Sequence, residues 1–322
     1  MAPSGPRVPA MARPRLASTF SIVARDPAAQ ELGVAVQSHY FSVGSDVPWA
    51  EAGVGAVATQ SFVETSYGPR GLRLLRRGMS PAEALRRLTA ADPGRDGRQV
   101  GIVDARGRSA VWTGTGCIAH AGHATRTNVS VQGNLLASPK VWPAMIRAFE
   151  ARRGPLAERL VAALEAGQRA GGDARGMQSA SLLVVGPPVR GRPWTSRRID
   201  LRVEDHPEPI ADLRRLLALR RAYELADAAE GVFPADPLRA RRTYDRAVRM
   251  APGNDELLFW RGAMRARAGD VGRAANDVRR AIALNPRWRV LLPRLSEEQF
   301  PRGTAVRRAL RGRGVGAHTR GR

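Results

Sequence analysis

A Ser-Thr pair at the start of a strand-like run is the first feature of this sequence that could carry chemistry. Residues 19–24 and 32–37 are rich in apolar and β-branched residues, and the turn-forming run DPAAQ lies between them. This pattern predicts a β-hairpin. A threonine that begins a chain has a free α-amino group beside its hydroxyl, which makes a nucleophile with its own base. In an uncut chain Thr19 is an ordinary strand former, so both roles stay open.

A second group of chemically capable residues is Cys117, His120 and His123. Their spacing could supply three zinc ligands, or a cysteine nucleophile with a histidine base. The alternating apolar residues between them favour a strand in which the cysteine is a packing residue. We therefore predict no metal and no cofactor.

Composition limits the possible classes of protein. The chain has 322 residues, 43% of them hydrophobic, which is enough for one large domain and a smaller one. No apolar run reaches the roughly 18 residues of a membrane span, so none is expected. The single cysteine excludes an internal disulfide and favours a cytoplasmic location. Residues 1–18 lack the apolar core of a secretory signal and are interpreted as a disordered leader or propeptide, with Met11 as an alternative start.

The net charge of +23 raises the question of nucleic-acid binding. Much of the excess lies at the C-terminal end, where residues 301–322 contain seven arginines and no acidic residue. Such a tail allows loose contact with anionic surfaces. No groove-reading motif accompanies the charge, so no specific nucleic-acid partner is predicted.

Strands and helices alternate in clusters along residues 19–218. The patterns predict three strands, two helices, about three strands, two helices and two strands, which favours an α+β fold over alternating parallel units. The clearest helix start is Ser80-Pro81-Ala82-Glu83, where a capping box joins a proline at the first helical position.

Only helices are predicted after about residue 209. Two segments within residues 222–288 repeat with a period of 34, pairing Ala240 with Ala274 and Ala247 with Ala281. The pattern resembles a tetratricopeptide pair, although Arg261 and Arg265 stand where that repeat usually has larger apolar residues. Two units are fewer than a free-standing stack needs, so they are expected to lean on the preceding domain or to pair with another chain, for example a second copy in a homo-oligomer.

A family resemblance covers about residues 19–218. It is carried by TFSIVARDPAAQELGVAVQS, VGSDVPWAEAGVGAVATQSFV, SYGPRGLRLLRRGMSPAEAL, GIVDARG, AGH, VQGNLL and GGDARGMQSASLLVV. These motifs resemble the family known as domain of unknown function 1028, which is placed among the N-terminal-nucleophile (Ntn) hydrolase folds. The resemblance implies a four-layer αββα sandwich and the hydrolysis of an amide bond.

The resemblance also implies roles for individual residues. Thr19 would be the nucleophile after cleavage between Ser18 and Thr19, and cleavage one bond earlier would present Ser18 instead. Asp26 would tune the nucleophile, or simply form the hairpin turn. Asn134 would line an oxyanion hole, or end a strand. The lysine that the superfamily often places after the second strand is missing. The residues expected near the substrate are Ser38, His39, His123, Gln178 and Ser179.

Two hypotheses for the function follow. In the first, an Ntn-type amidohydrolase cleaves a small amide or peptide-like substrate. In the second, a non-catalytic binding or assembly module docks a protein partner, with the sandwich as its platform and the helical repeats as its docking surface. The predicted organisation is a leader at 1–18, an Ntn-like domain at 19–218, repeats at 219–295 and a basic Arg/Gly-rich tail at 296–322.

Overall fold

The computed structural model describes residues 16–17 and 19–311. The chain divides into two compact units between Arg214 and Arg215. No helix within the described ranges is long and apolar enough to cross a membrane.

The first unit is built on two antiparallel sheets. In chain order its strands are β1 (Leu16–Ala17), β2 (Thr19–Asp26), β3 (Glu31–Ser38), β4 (Pro48–Glu51), β5 (Gly55–Phe62), β6 (Arg98–Asp104), β7 (Ser109–Thr113), β8 (Gly122–Arg126), β9 (Val129–Gly133), β10 (Ser179–Val185) and β11 (Arg197–Val203). One sheet has the order β1-β5-β6-β7, with β4 also paired to β5. The other has the order β11-β10-β3-β2-β9-β8.

Four helices cover these sheets: α1 (Tyr67–Arg76), α2 (Pro81–Ala90), α3 (Val141–Ala151) and α4 (Leu156–Arg169). Leu72, Leu75 and Leu88 of α1 and α2 form one apolar cluster with β5 and β6 of the first sheet. Helices α3 and α4 contact β9, β2 and β3 of the second sheet. A separate cluster, including Val23, Val34, Ala58 and Val103, joins strands of the two sheets to each other. Burial on both faces of each sheet explains why the strands are mostly continuous apolar runs.

The main sequence-based expectations for this unit agree with the structure. The opening hairpin is β2 and β3, with Thr19 opposite Ser38 and Asp26 opposite Glu31. The capping box is formed: the backbone N–H of Ser80 donates to Glu83, and the N–H of Glu83 donates to the Ser80 hydroxyl. The fold class, a mixed α+β fold with antiparallel sheets, is confirmed.

Two segments differ from expectation. Leu16 and Ala17, assigned from sequence to a disordered leader, form β1 because their backbone pairs with Phe62 and Ser61 at an open edge of β5. The rest of residues 1–18 lies outside the described residues. Part of the predicted basic tail is a helix, because Phe300 and Val306 supply apolar side chains that are almost fully buried. Residues 312–322 of that tail also lie outside the described residues.

The second unit contains helices. Helix α5 (Pro209–Val232) begins before the division between the units, and α6 (Pro237–Met250), α7 (Asp255–Arg267), α8 (Val271–Leu284), α9 (Trp288–Leu291) and α10 (Gly303–Arg311) follow. Alanines of the 34-residue repeat are buried in its core. Arg261 and Arg265, which depart from the repeat pattern, are neutralised by carboxylates: both reach Asp245 and Asp277 within 3.0 Å.

Candidate functional site

Thr19 is the first residue of β2 and is fully buried. Its hydroxyl donates a 2.6 Å hydrogen bond to the carbonyl oxygen of Ala17. Its own carbonyl oxygen accepts from the Gln60 side-chain nitrogen at 3.2 Å and from the Asn134 backbone nitrogen at 3.1 Å. Thr19 is therefore fixed by groups from β5 of one sheet and from the end of β9 in the other.

A network of buried amide side chains surrounds this position. Gln60 Nε2 donates to Gln99 Oε1 at 2.8 Å, and Ser21 donates to Gln60 Oε1 at 2.7 Å. Gln132 Nε2 donates to the Ser21 hydroxyl at 2.6 Å. All four side chains are buried. A polar network in the interior is tolerated only where its members satisfy one another, so these residues form one connected unit between the sheets.

The alternation of β2 explains why polar residues collect here. Successive side chains of a strand point to opposite faces. Phe20 points toward the helices, since its ring lies beside Gly167 of α4. Ser21 points toward the other sheet, where it meets Gln60. In β6, Gly101 leaves room for the Gln132 side chain, which a Cβ at that position would meet.

Asn134 joins the network at its other end. Its Nδ2 donates to Gln99 Oε1 at 2.9 Å, and the residue is fully buried. Its Oδ1 has no hydrogen-bond partner among residues 16–17 and 19–311. An unsatisfied buried acceptor costs about 1–3 kcal/mol. This oxygen can therefore accept one further hydrogen bond beyond those that the described residues supply.

His123 is exposed and is linked to the buried network through the Thr113 hydroxyl. Its Nδ1 is 2.9 Å from the Thr113 hydroxyl, which in turn accepts from Gln99 Nε2 at 3.0 Å. Partial desolvation of the ring lowers the pKa of His123. The imidazole is thus connected to the buried network through one hydroxyl and does not touch Thr19.

The other residues predicted from sequence fall in three places. Ser38 is buried directly opposite Thr19 in the β2–β3 ladder, and Ser179 is buried opposite Ser38 on β10. His39 is exposed, with its ring near the Met177 carbonyl oxygen, and the Gln178 side chain donates to Asp205. Asp26 lies at the other end of β2, about 23 Å from Thr19 at the usual rise of an extended strand. Its carboxylate accepts from the backbone N–H groups of Ala28 and Ala29, so it shapes the turn.

Cys117 and His120 lie in an irregular segment before β8, which begins only at Gly122, so the strand expected across residues 117–123 is wrong for most of its length. The Cys117 thiol donates to the Arg98 carbonyl oxygen at 3.4 Å, and burial raises the pKa of the thiol. Within residues 16–17 and 19–311, no three His, Cys, Asp or Glu side chains form a group that could hold a metal ion.

Three buried residues of this network, Gln60, Gln99 and Gln132, were not predicted from the sequence. Each glutamine lies inside an apolar, strand-like run: AVATQSF, RQVGIV and VSVQG. An uncharged polar residue within such a run is the signal that could have found them, because a buried amide needs partners. The sequence does not show that all three runs bring their glutamines to the same space.

The fold and this buried network define an α+β protein with two antiparallel sheets and a threonine held between them. The model of the family of unknown function DUF1028 matches residues 19–213, and the chain belongs to that family. The crystal structure of a Silicibacter pomeroyi protein of the same family is similar, with a TM-score of 0.57 and 33% sequence identity. The match covers 62% of this chain and 84% of that protein. No match was found among curated proteins.

Proposed function

We propose that this chain is an N-terminal-nucleophile amidohydrolase in which Thr19 attacks an amide carbonyl after the preceding residues are removed. The observation that carries the proposal is the position of Thr19: it opens a buried strand inside the polar network, and the family match begins at the same residue. Two sheets with helices α1 and α2 on one and α3 and α4 on the other are the arrangement that an Ntn-type sandwich requires.

The chemistry follows from the two groups of an N-terminal threonine. The α-amino group, with an unperturbed pKa of about 8, takes the hydroxyl proton while Oγ1 bonds to the substrate carbonyl carbon. The proton passes to the leaving nitrogen as the C–N bond breaks, which leaves an ester on Thr19. Water then attacks the ester and gives a proton to the α-amine, and the returning Thr19 oxygen takes it up.

The buried network has two tasks in this scheme. The hydrogen bonds from Gln60 and Asn134 to the Thr19 carbonyl oxygen fix the backbone of the nucleophile. In this scheme Oδ1 of Asn134, which lacks a partner among the described residues, accepts a hydrogen bond from an N–H of the freed α-amino group. Such a bond would hold the amine with its lone pair directed to the hydroxyl, which is the geometry that a general base needs.

The intact chain blocks this chemistry. Thr19 is fully buried, its hydroxyl donates to Ala17, and its nitrogen is part of a peptide bond. Hydrolysis of the Ser18–Thr19 bond would release the amine and the residues that cover the hydroxyl. The proposal therefore requires a mature chain that begins at Thr19.

The test combines the mature N-terminus with a pair of variants. Intact-mass analysis of protein purified from its native host should show a substantial fraction beginning at Thr19. Against a panel of small amides and peptides, Thr19→Ser should keep part of any activity, because a hydroxyl and an adjacent amine remain. Thr19→Ala should lose it by several orders of magnitude. Chains that keep residue 18 throughout, or an active Thr19→Ala enzyme that begins at residue 19, would refute the proposal.

A second candidate function has support in the helical unit, where we propose that a cleft binds an acidic peptide. The cleft has a volume of about 560 Å³, with Arg279, Arg289, Arg307 and Arg311 around the apolar side chains of Ile282 and Leu310. No carboxylate of a described residue lines it. Four cations beside apolar surface are complementary to a segment with both acidic and apolar residues.

Fluorescence anisotropy tests this candidate. A labelled peptide of alternating Glu and Leu should bind the full chain, and binding should weaken at least tenfold in Arg279→Ala/Arg289→Ala. A peptide with Lys in place of Glu is the control for charge. Equal binding of both peptides, or unchanged binding by the double variant, would exclude the cleft as a specific acidic-peptide site.

A further inference from the structure

The edge of β5 that faces β1 is shared by two segments. Strand β4 pairs with Gly55 to Ala58, and β1 continues along the same edge with Leu16 opposite Phe62 and Ala17 opposite Ser61. Ser61 has a φ of 72°, a left-handed conformation that a serine in a strand seldom adopts. The β5 edge next to Thr19 therefore has an unusual backbone conformation at Ser61, and Leu16 and Ala17 of the same chain pair with it.

We propose that this edge is the substrate-binding slot, and that the substrate is an extended peptide or peptide-like amide with a small apolar residue where Ala17 lies. This proposal rests on the proposed function and names its substrate class. Cleavage of the Ser18–Thr19 bond places Leu16 and Ala17 on the acyl side of the cut. A substrate that is cleaved by the same hydroxyl would place its own acyl side along the same edge.

Three observations support a peptide of this kind. The pairing of β1 with β5 is main-chain recognition, in which an extended segment adds to an open sheet edge. The Ala17 carbonyl oxygen is 2.6 Å from Thr19 Oγ1, so this segment passes directly over the nucleophile. Ala17 is fully buried in the cluster that includes Val23 and Val36, whereas Leu16 is only partly buried.

The burial of Ala17 predicts which side chains a substrate can have at this position. A well-packed interior resists extra methylene groups, so the position two residues before the cleaved bond should accept alanine or glycine and reject a large side chain. The position of Leu16 should tolerate more variation. The slot is thus expected to select by size at one position and by backbone conformation along its length.

Binding of the leader peptide is the direct test. The protein is a chain that begins at residue 19 and carries Thr19→Ala, the same substitution that keeps the comparison chain uncut. The probe is a fluorescent peptide with the sequence of residues 13–18, RPRLAS. It should bind, and a peptide with Phe in place of the alanine should bind at least tenfold more weakly. An intact Thr19→Ala chain should not bind, because its own residues 16 and 17 fill the slot.

Failure of this proposal is distinguishable from failure of the proposed function. A chain that begins at Thr19 and hydrolyses amides, but binds both peptides equally or neither, would overturn the slot and leave the hydrolase. If the chain that begins at Thr19 hydrolyses no amide, but the peptides bind as expected, the slot stands and the hydrolase proposal is overturned.

Hydrogen exchange in the intact Thr19→Ala chain gives a second measurement if the shortened protein does not fold. Ala17→Phe should speed the exchange of the β5 segment containing Ser61 and Phe62 at least tenfold, whereas Ala17→Gly should change it less than threefold. Equal exchange in the two variants would contradict size selection at this position.

Discussion

The backbone N–H of Asn134 donates a 3.1 Å hydrogen bond to the carbonyl oxygen of Thr19. This bond joins the first residue of β2 to the residue that follows β9, and the Asn134 side chain then continues to Gln99 of the opposite sheet. Thr19 is thus held by the packing of two sheets, and residues far apart in the sequence decide what surrounds it.

Asn134→Ala should reduce catalysis much more than stability. The backbone bond to Thr19 remains, while the Nδ2 bond to Gln99 is removed together with Oδ1, which has no partner in the described part of the chain. We expect a stability loss of about 1–2 kcal/mol and a fall in kcat/KM of about 100-fold, the scale for loss of one positioned polar group in an active site. Kinetics with the amide found by screening, together with thermal melts, would measure both.

The control for this variant is Asn276→Ala, whose side chain accepts from Arg279 on the surface of the helical unit. It should leave amide hydrolysis unchanged. If Asn134→Ala keeps wild-type kinetics, Asn134 has only a structural role.

Gln99→Leu should destabilise the first unit strongly. The substitution removes the acceptor shared by Gln60 and Asn134 and the donor to the Gly133 carbonyl oxygen at 2.9 Å. Each buried group left without a partner costs about 1–3 kcal/mol, so a loss of about 3 kcal/mol or more is expected in urea unfolding. Gln178→Leu is the matched control, because Gln178 is partly exposed and bonds to exposed Asp205. A loss below about 1 kcal/mol in Gln99→Leu would show that the network relaxes around the gap.

Asp92 should make stability depend on pH in the acid range. Burial of this carboxyl acts to raise its pKa, but the hydrogen bonds from Arg98, Gly94 and Tyr67 outweigh it and lower the pKa. A carboxyl with a lowered pKa stabilises the folded state above its unfolded pKa, near 3.9. That contribution is lost as the pH falls through the lower pKa of the folded state.

Asp92→Asn tests this dependence. At pH 7 it should be less stable than the wild type by about 1–3 kcal/mol, and the difference should shrink as the pH falls below about 4. Denaturant unfolding at a series of pH values measures it. A difference that stays constant between pH 7 and pH 3 would mean that the Asp92 charge does not contribute.

Asp277→Ala should weaken the helical unit. Asp277 is almost fully buried and accepts from Arg261 at 2.7 Å and from Arg265 at 2.8 Å. Removing one partner of a buried ion pair leaves an uncompensated charge and costs about 3–5 kcal/mol. Glu224→Gln, which removes more exposed pairs with Arg220 and Arg221, should cost about 0–1 kcal/mol. Similar losses in the two variants would show that Asp245 alone satisfies the arginines.

Much of the local structure could be predicted from the sequence because its signals are local. The hairpin turn after Asp26, the proline and capping box at Ser80 and Pro81, and the apolar and β-branched run of β2 depend on neighbouring residues only. The same reasoning identified Thr19 as the residue whose hydroxyl could act, and Asn134 as a polar residue at a strand end.

Only the tertiary structure decided which of the candidates meet. It places Asn134 beside Thr19 and leaves Asp26 at the other end of the strand, because sheet register fixes the neighbours of each strand end. It also brings together three glutamines from three strands, buries Arg261 against Asp277, and turns residues 16 and 17 into a strand over the Thr19 hydroxyl. These relationships depend on contacts between distant segments. The sequence determines which residues can do chemistry and which elements they begin, while the packing of one sheet on another determines which of them share a site.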